Sequence, residues 1–230
     1  GVDDLAIPFL SVLQGNSPQC KRSEGAYIQG ASEGMILNTV TEDLFDSEEG
    51  ILVIPCGYQK YMVEWVDRDQ GGGFIAQHGM NSPIVQTARP TPDRPNRLFI
   101  PSSGNNLVET AYHYVIQITP DGSPVPAVIS MSSTQLKRSR RWNSLIKGIQ
   151  LDGPNGSFNP PSFSHLYRMT SVADSKDNYT WMSWKITVES RITDVNMYRM
   201  AKEFATSVSS GLVKVSAPPT DDESAEETVV

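Results

Sequence analysis

The order of elements in this chain is decided by residues 108–149, which read VETAYHYVIQITPDGSPVPAVISMSSTQLKRSRRWNSLIKGI. Alternate residues from Val108 to Ile118 are apolar or β-branched, which is the period of a strand with two different faces. Asp121-Gly122 is typical of a hairpin turn, and residues 125–131 favour a returning strand. A helical pattern follows at once, so the stretch predicts a strand pair that leads directly into a helix.

The predicted helix has one apolar stripe and several cations. The stripe repeats at i, i+3, i+4 and i+7 and consists of Trp142, Leu145, Ile146 and Ile149. Thr134 is the predicted N-cap. Five cations fall within eleven residues, namely Lys137, Arg138, Arg140, Arg141 and Lys147. No Asp or Glu occurs between Asp121 and Asp152, although the whole chain has a net charge of −7.

This basic segment has two interpretations. The simpler one is a solvated helix face. The functional one is a binding surface for a polyanion, because an acidic chain that gathers its cations in one place creates a local positive field. Arginine suits phosphate in particular, since its planar guanidinium donates two parallel hydrogen bonds.

Further strands are predicted on both sides of this stretch. Upstream, residues 35–40, 51–54 and 58–66 favour strands, with a turn at 55–57, and residues 78–106 contain five prolines and predict a long irregular excursion. The arginines of that excursion, Arg89, Arg94 and Arg97, are a second candidate for polyanion contact. Downstream, residues 164–172 and 179–192 favour a hairpin, and Asp194 is the predicted N-cap of a last helix.

The order of these elements predicts a mainly β fold. The architecture that we expect is an OB-like, partly open antiparallel barrel with an inserted helix, long loops and a C-terminal helix. Three regions are predicted: an N-terminal docking segment at 1–34, the OB-like domain at 35–215 and a disordered acidic tail at 216–230. The tail has five acids, no base and no aromatic residue, and without it 21 acids face 19 bases.

The composition argues against several other classes of protein. Cys20 and Cys56 are the only cysteines and the three histidines are scattered, so no zinc-ligand spacing exists and no metal or cofactor is expected. Two distant cysteines fit a reducing cytoplasm, and Cys56 is expected to be a small core residue. No apolar run reaches the roughly 18–20 residues that span a bilayer, so no membrane partner is expected.

Small barrels of the predicted kind bind unpaired nucleic acid by stacking bases on aromatic rings within a basic groove. The candidate phosphate-binding residues are Lys137, Arg138, Arg140, Arg141 and Lys185. The candidate stacking residues are Tyr179 and Trp181 on the last predicted strand, where Ser183 and Lys185 share their face, and Tyr61 on an earlier strand. The sequence thus predicts single-stranded DNA as the partner, with no catalytic residue.

Residues 4–215 also resemble a family of phage single-stranded-DNA-binding proteins. The matching stretches are Ile7-Pro8-Phe9-Leu10, Val53-Ile54-Pro55-Cys56-Gly57-Tyr58, Glu64-Trp65, Arg68-Asp69-Gln70-Gly71-Gly72-Gly73-Phe74, Val108-Glu109-Thr110 and Ser139-Arg140-Arg141-Trp142-Asn143. The resemblance implies an OB-fold that coats single strands during phage DNA replication and recombination in the cytoplasm of the infected bacterial host. Oligomers are compatible with this role.

The resemblance also implies a role for the acidic tail. Such tails contact replication or recombination proteins, and they cover the basic groove when DNA is absent. The tail of this chain fits the family in charge. It departs from the family by ending Thr228-Val229-Val230, without the terminal aromatic residue that such tails often carry.

Two other functions remain open from the sequence. A phage virion structural protein would account for the β-rich body and the proline-rich excursion without any ligand. A metal-dependent nuclease could use Glu64, Asp67 and Asp69, but these acids are also common in turns, and no convincing Ser/His/Asp or Cys/His set accompanies them.

Overall fold

The computed structural model describes residues 7–92, 94–215 and 218 as a mainly β protein with antiparallel sheets. The strands are β1 (Leu10–Val12), β2 (Ile36–Asn38), β3 (Leu44–Phe45), β4 (Ile51–Trp65), β5 (Phe74–Gly79), β6 (Arg89–Thr91), β7 (Arg94–Phe99), β8 (Asn106–Ile118), β9 (Pro124–Ser132), β10 (Leu151–Gly153), β11 (Gly156–Phe158), β12 (His165–Lys176) and β13 (Tyr179–Arg191). The α-helices are α1 (Pro83–Thr87), α2 (Leu136–Gly148) and α3 (Val195–Ser209). Apart from Pro218, the predicted tail lies outside the described residues.

Two long strands, β4 and β8, form the centre of the main sheet. They pair with each other along nearly their whole length, from Leu52 opposite Ile118 to Trp65 opposite Asn106. The sheet order is β13-β12-β4-β8-β7-β6, and it branches because β5 pairs with the second half of β4 and β9 pairs with β8. The sheet is not closed into a barrel. The mainly β class is therefore confirmed, while the OB-fold assignment stays a prediction.

A β-bulge interrupts the pairing of β4 at Cys56. Pro55 lies opposite Val115 and Gly57 lies opposite Tyr114, so Cys56 is an extra residue without a counterpart on β8. The predicted turn at 55–57 is therefore wrong, because a bulge admits Pro55 without ending the strand. Cys56 is buried as expected, its Sγ donates to the carbonyl of Ile54, and burial raises the pKa of its thiol to about 12.

The two faces of the sheet are covered by different helices. Trp142 of α2 is fully buried against Ala111, Val115 and Ile129, so the predicted stripe of this helix is confirmed as its core face. On the other face, α3 places Val208 against Tyr112 and Tyr114. Because neighbouring residues of a strand point to opposite faces, Ala111 and Tyr112 mark the α2 side and the α3 side respectively.

The two helix starts differ from each other. Asp194 caps α3, where its Oδ1 accepts a hydrogen bond of 2.7 Å from the backbone N–H of Met197, as the sequence predicted. The predicted cap of α2 is wrong, because Thr134 lies inside a 3₁₀ turn, Ser133–Gln135, and Gln135 is the residue that precedes the α-helix. The α-helix therefore begins at Leu136, after this 3₁₀ turn.

The N-terminal residues pair with the body of the protein. β1 pairs antiparallel with β2, and Phe9 forms a parallel bridge with Val128 of β9. The predicted boundary at residue 34 thus lies between two strands of one three-stranded sheet, which has the order β1-β2-β3. Phe9 and Leu10 are buried, so the apolar residues of this segment contribute to the core.

The prediction that residues 78–106 are irregular is wrong, because this region contains α1, β6, β7 and the end of β5. Ala88 and Ile100 from this region pack with Met62 and Leu107 of the central strands. Arg94, one of the three candidate polyanion contacts of this region, already forms ion pairs with Asp67 at 2.8 Å and with Asp69 at 2.9 Å.

Candidate functional site

Four of the exposed residues of α2 are cations. Trp142 and Ser139 face the core, so the opposite positions of the helix, Lys137, Arg140, Arg141 and Lys147, lie in solvent. The helix has no acidic residue that could balance them within its own turns. Within the described ranges, Arg140 and Arg141 form no ion pair. These two guanidinium groups can therefore bind an anion without breaking an existing ion pair.

The start of α2 lies beside the outer edge of β13. Gln135 donates a hydrogen bond of 3.0 Å from its side-chain amide to the carbonyl of Met182 and accepts one of 3.4 Å from the N–H of Trp184. Gln14 forms a second pair of hydrogen bonds with Met182. These contacts fix the N-terminal end of the basic helix against the β12–β13 hairpin.

Lys137 and Arg138 meet Asp174 at this junction. Arg138 Nη2 lies 2.7 Å from Asp174 Oδ2, and Lys137 Nζ lies 3.2 Å from the same oxygen. Ser183 Oγ donates a third hydrogen bond of 2.9 Å to this oxygen. Partial burial by itself raises the pKa of Asp174, but the hydrogen bonds from Arg138, Ser183 and Lys137 outweigh burial and lower the pKa below its ordinary value.

Trp181 provides an aromatic ring next to these charges. Lys137 Nζ lies 5.8 Å from the centre of the Trp181 ring, within the range of a cation–π interaction. The indole Nε1 donates a hydrogen bond of 3.1 Å to Ser183 Oγ, which fixes the orientation of the ring. Trp181 is half-buried, so part of its surface is accessible.

Alternation along β13 brings two more predicted residues to the same face. Tyr179, which is half-buried, and Lys185, which is exposed, lie two residues before Trp181 and two after Ser183. The sequence predicted an exposed face here, and Ser183 departs from this because it is fully buried. Its hydroxyl is enclosed by its hydrogen-bond partners Asp174, Trp181 and Gln135.

Tyr61 is not brought together with the other predicted site residues. It lies on the α3 side of the sheet, where its ring centre is 5.2 Å from that of Tyr112, and its hydroxyl donates to Gln59. The structure therefore places Tyr179, Trp181, Ser183 and Lys185 on one hairpin face beside the start of α2, and it places Tyr61 elsewhere. We call the hairpin face and the exposed face of α2 together the basic aromatic surface.

Sequence reasoning missed the acid in this surface. Asp174 lies near the end of β12, and it is 36 residues from Arg138 in the chain. Nothing in the local sequence indicates the Arg138–Asp174 ion pair, since this contact depends on how far the β12–β13 hairpin extends beyond Ile51, the first residue of β4. The β12–β13 pairing extends from His165–Arg191 to Lys176–Tyr179, whereas β4 reaches β12 only at residues 167–169.

The three acids of the nuclease alternative have other partners. Glu64 is buried and accepts a hydrogen bond of 2.6 Å from Asn105, and its other oxygen lies 2.7 Å from His78 Nε2. Asp67 and Asp69 hold Arg94 between them. No group of three or more side chains within the described part of the chain has the arrangement of a metal site.

The fold and the surface define a class of protein: a mainly β protein with an open antiparallel sheet and a basic helix beside an aromatic hairpin face. A family model described as Pam3 phage gp34-like protein matches residues 1–214, so the chain belongs to this family of phage proteins. Neither a curated protein nor a solved structure matches the chain. Within the described ranges, no helix is both long and apolar enough to cross a membrane.

Proposed function

We propose that this phage protein binds single-stranded DNA during phage DNA replication or recombination in the cytoplasm of the infected host. The observation that supports this most directly is the basic aromatic surface, where Lys137 of α2 lies 5.8 Å from the centre of the Trp181 ring and Tyr179 lies on the same strand face as Trp181. An unpaired strand offers both phosphates and accessible base faces, and this surface complements the two together.

The cations and the rings have separate roles in this proposal. Arg140, Arg141 and Lys185 bind phosphates, and because each contact releases a counterion, affinity falls as salt rises. Trp181 and Tyr179 stack on bases, which contributes about 1–3 kcal/mol per base and does not depend strongly on sequence. No metal or cofactor is needed for binding of this kind.

Partners other than DNA are proposed from the sequence alone. The acidic residues of 216–230 would contact replication or recombination proteins, as the resemblance to phage DNA-binding proteins implies. The same residues would compete with DNA for the cations of α2, since both are polyanions.

The test is oligo-dT binding by the Arg140→Ala/Arg141→Ala variant, measured by gel shift at two salt concentrations. Each lost phosphate contact should reduce affinity about fivefold at 0.1 M salt and reduce the slope of log K against log salt by about 0.7. The matched control is Arg199→Ala/Lys202→Ala, which removes the same charge from exposed positions of α3 on the other side of the sheet. This control should bind nearly as the wild type does.

Four results would contradict the proposal. Equal binding by the two double variants would show that the charge and not its location matters. Binding of double-stranded DNA as tightly as single-stranded DNA would remove the role of the rings. Ordered self-assembly without any DNA binding would favour a virion structural protein, and loss of DNA after addition of magnesium or manganese would favour a nuclease.

A further inference from the structure

Asp174 is the only carboxylate that contacts the cations of α2 within the described residues. We propose that its carboxylate occupies a phosphate subsite of the basic aromatic surface and that a phosphate of the bound strand displaces it. Asp174 is then a built-in competitor that weakens the protein's own affinity for DNA. This inference rests on the proposed function and adds an inhibitory contact to the same site.

The donors around Asp174 have the arrangement of an anion site. Arg138, Lys137 and Ser183 all direct a donor at the single oxygen Oδ2, at 2.7, 3.2 and 2.9 Å. An ionised carboxylate and a phosphodiester each present two oxygens that share one negative charge, so the same donors can bind either group. Arg138 can also bind such a group with its planar fork.

The position of Trp181 makes this subsite suitable for a nucleotide rather than for a free anion. Trp181 interacts with two of the residues that form the subsite: its Nε1 donates a hydrogen bond to Ser183 Oγ, and its ring centre lies 5.8 Å from Lys137 Nζ. A phosphate in place of the carboxylate would therefore lie next to a ring on which the adjoining base can stack. The carboxylate of Asp174 occupies only the phosphate part of that site.

Displacement of Asp174 is feasible because one of the two ion pairs is exposed. The Lys137 side chain is 56% accessible, and an ion pair in such a position contributes little in water. Arg138 is only 20% accessible, so the loss of its anionic partner would cost stability, and the strand would supply a new partner as Asp174 leaves. The exchange thus replaces one partner of Arg138 with another and leaves no buried charge unpaired.

The test compares Asp174→Asn with Asp177→Asn in oligo-dT binding by the full chain. Asp177 lies in the same hairpin, is exposed, and forms no ion pair with any residue that the structure describes. Its φ of 54° is one that Asn also adopts readily, so both variants change the charge equally without strain at the control site. Asp174→Asn should bind at least about fivefold more tightly than Asp177→Asn at 0.1 M salt, with a slope steeper by about 0.7 for each cation released.

Thermal unfolding of the same two variants separates competition from a structural role. Asp174→Asn should unfold at a lower temperature than Asp177→Asn, because Arg138 loses its carboxylate partner, while its affinity for DNA rises. Lower stability with unchanged or lower affinity would overturn the inference and leave the proposed function intact, provided that the wild type binds oligo-dT. A wild type that does not bind oligo-dT would overturn both.

A second measurement uses the wild type and needs no variant to fold. The NMR signal of the Asp174 side-chain carboxyl carbon should shift as oligo-dT is added and should reach its limit when the protein is saturated. An unchanged Asp174 signal at saturation, together with shifted signals from Arg140 and Arg141, would show that DNA binds beside this subsite without entering it, and the inference would be wrong.

Discussion

His113 shows what burial does to a single titratable residue in this fold. It lies on β8 beneath α2, with its ring stacked on Trp142 at 4.5 Å between centres and its Nε2 hydrogen-bonded at 2.8 Å to Ser139 Oγ. Complete burial lowers its pKa from 6.5 to about 3, so the imidazole is neutral in the folded protein at pH 7. The buried ring anchors the basic helix without carrying charge.

As the pH falls, protonation of His113 in the unfolded chain should therefore destabilise the protein at a higher pH than protonation of the protein's carboxylates does. The unfolded chain binds a proton at this residue below about pH 6.5 and the folded chain does not, so the free energy of unfolding should fall by about 1.4 kcal/mol per pH unit below that point. Urea unfolding between pH 4.5 and 7 measures this slope. His113→Gln should have a shallower slope over this range, although it is less stable at pH 7.

Other titratable groups also bear on that experiment. His165 also has a lowered pKa, caused by burial and by Arg191, and it contributes in the same direction in both proteins. The lowered pKa values of Asp67 and Asp174 contribute stability that is lost only as pH falls through and below 3.8, outside the range. Equal slopes for the wild type and His113→Gln would contradict the assignment to His113.

Side-chain amides close the outer edge of β13, which would otherwise expose unpaired backbone groups. Gln14 forms hydrogen bonds of 2.8 and 3.0 Å with the N–H and carbonyl of Met182, and Gln135 bonds the same carbonyl and the N–H of Trp184. An amide side chain has one donor group and one acceptor, as a neighbouring strand does, so two glutamines replace a short piece of strand. An open edge of this kind is a site for aggregation.

Removal of both glutamines should open this edge. In Gln14→Ala/Gln135→Ala, the amides of Met182 and Trp184 should exchange with deuterium faster than in the wild type, and the free energy of unfolding should fall by about 1–3 kcal/mol. Hydrogen exchange with mass spectrometry locates the change. The control, Gln70→Ala/Gln150→Ala, removes exposed glutamines that do not contact β13 and should leave its exchange unchanged. Protection of residues 182–184 that survives in both variants would contradict this role.

The strands and helices that the sequence predicted are those whose own residues repeat with the period of a strand or of a helix. β8, β9, β12, β13, α2 and α3 each have an alternating or helical apolar period, and all six are present near their predicted positions. The short strands β5, β6 and β7 lack such a period. β5 pairs with β4 and β7 pairs with β8, so their strand structure depends on these partners. Pairing with a distant strand cannot be read from the local sequence of such short segments.

At the scale of the whole molecule, one extra residue explains why the predicted site was partly scattered. Ile51 and Val53 face α2, and strict alternation along β4 would place Tyr61 on the same side. The bulge at Cys56 shifts the phase by one residue, so Tyr61 and Val63 face α3 instead. The pairing of β13 with β12 is regular from Tyr179 to Lys185, so Tyr179, Trp181 and Lys185 share one strand face as the sequence indicated.

The four tryptophans can report which side of the molecule binds DNA. Trp142 and Trp184 are buried, with 0% and 2% of their surfaces accessible, so only Trp65 and Trp181 can stack on a base. Trp65 packs against Phe74 at 5.8 Å on the α3 side, and Trp181 lies beside α2. If the basic aromatic surface binds the strand, Trp181→Phe should lose most of the fluorescence quenching by oligo-dT while Trp65→Phe retains it.

Affinity separates the loss of a fluorophore from the loss of a stacking partner. Trp181→Phe keeps a ring, so its Kd for oligo-dT should change little, whereas Trp181→Ala should lose about 1–3 kcal/mol of binding free energy because no base can stack there. Both Kd values are measured by gel shift, which does not depend on the fluorophore. Loss of quenching in Trp65→Phe instead would locate the strand on the α3 side, where the cations Arg199 and Lys202 are exposed and Tyr61 lies nearby in the same cluster as Trp65.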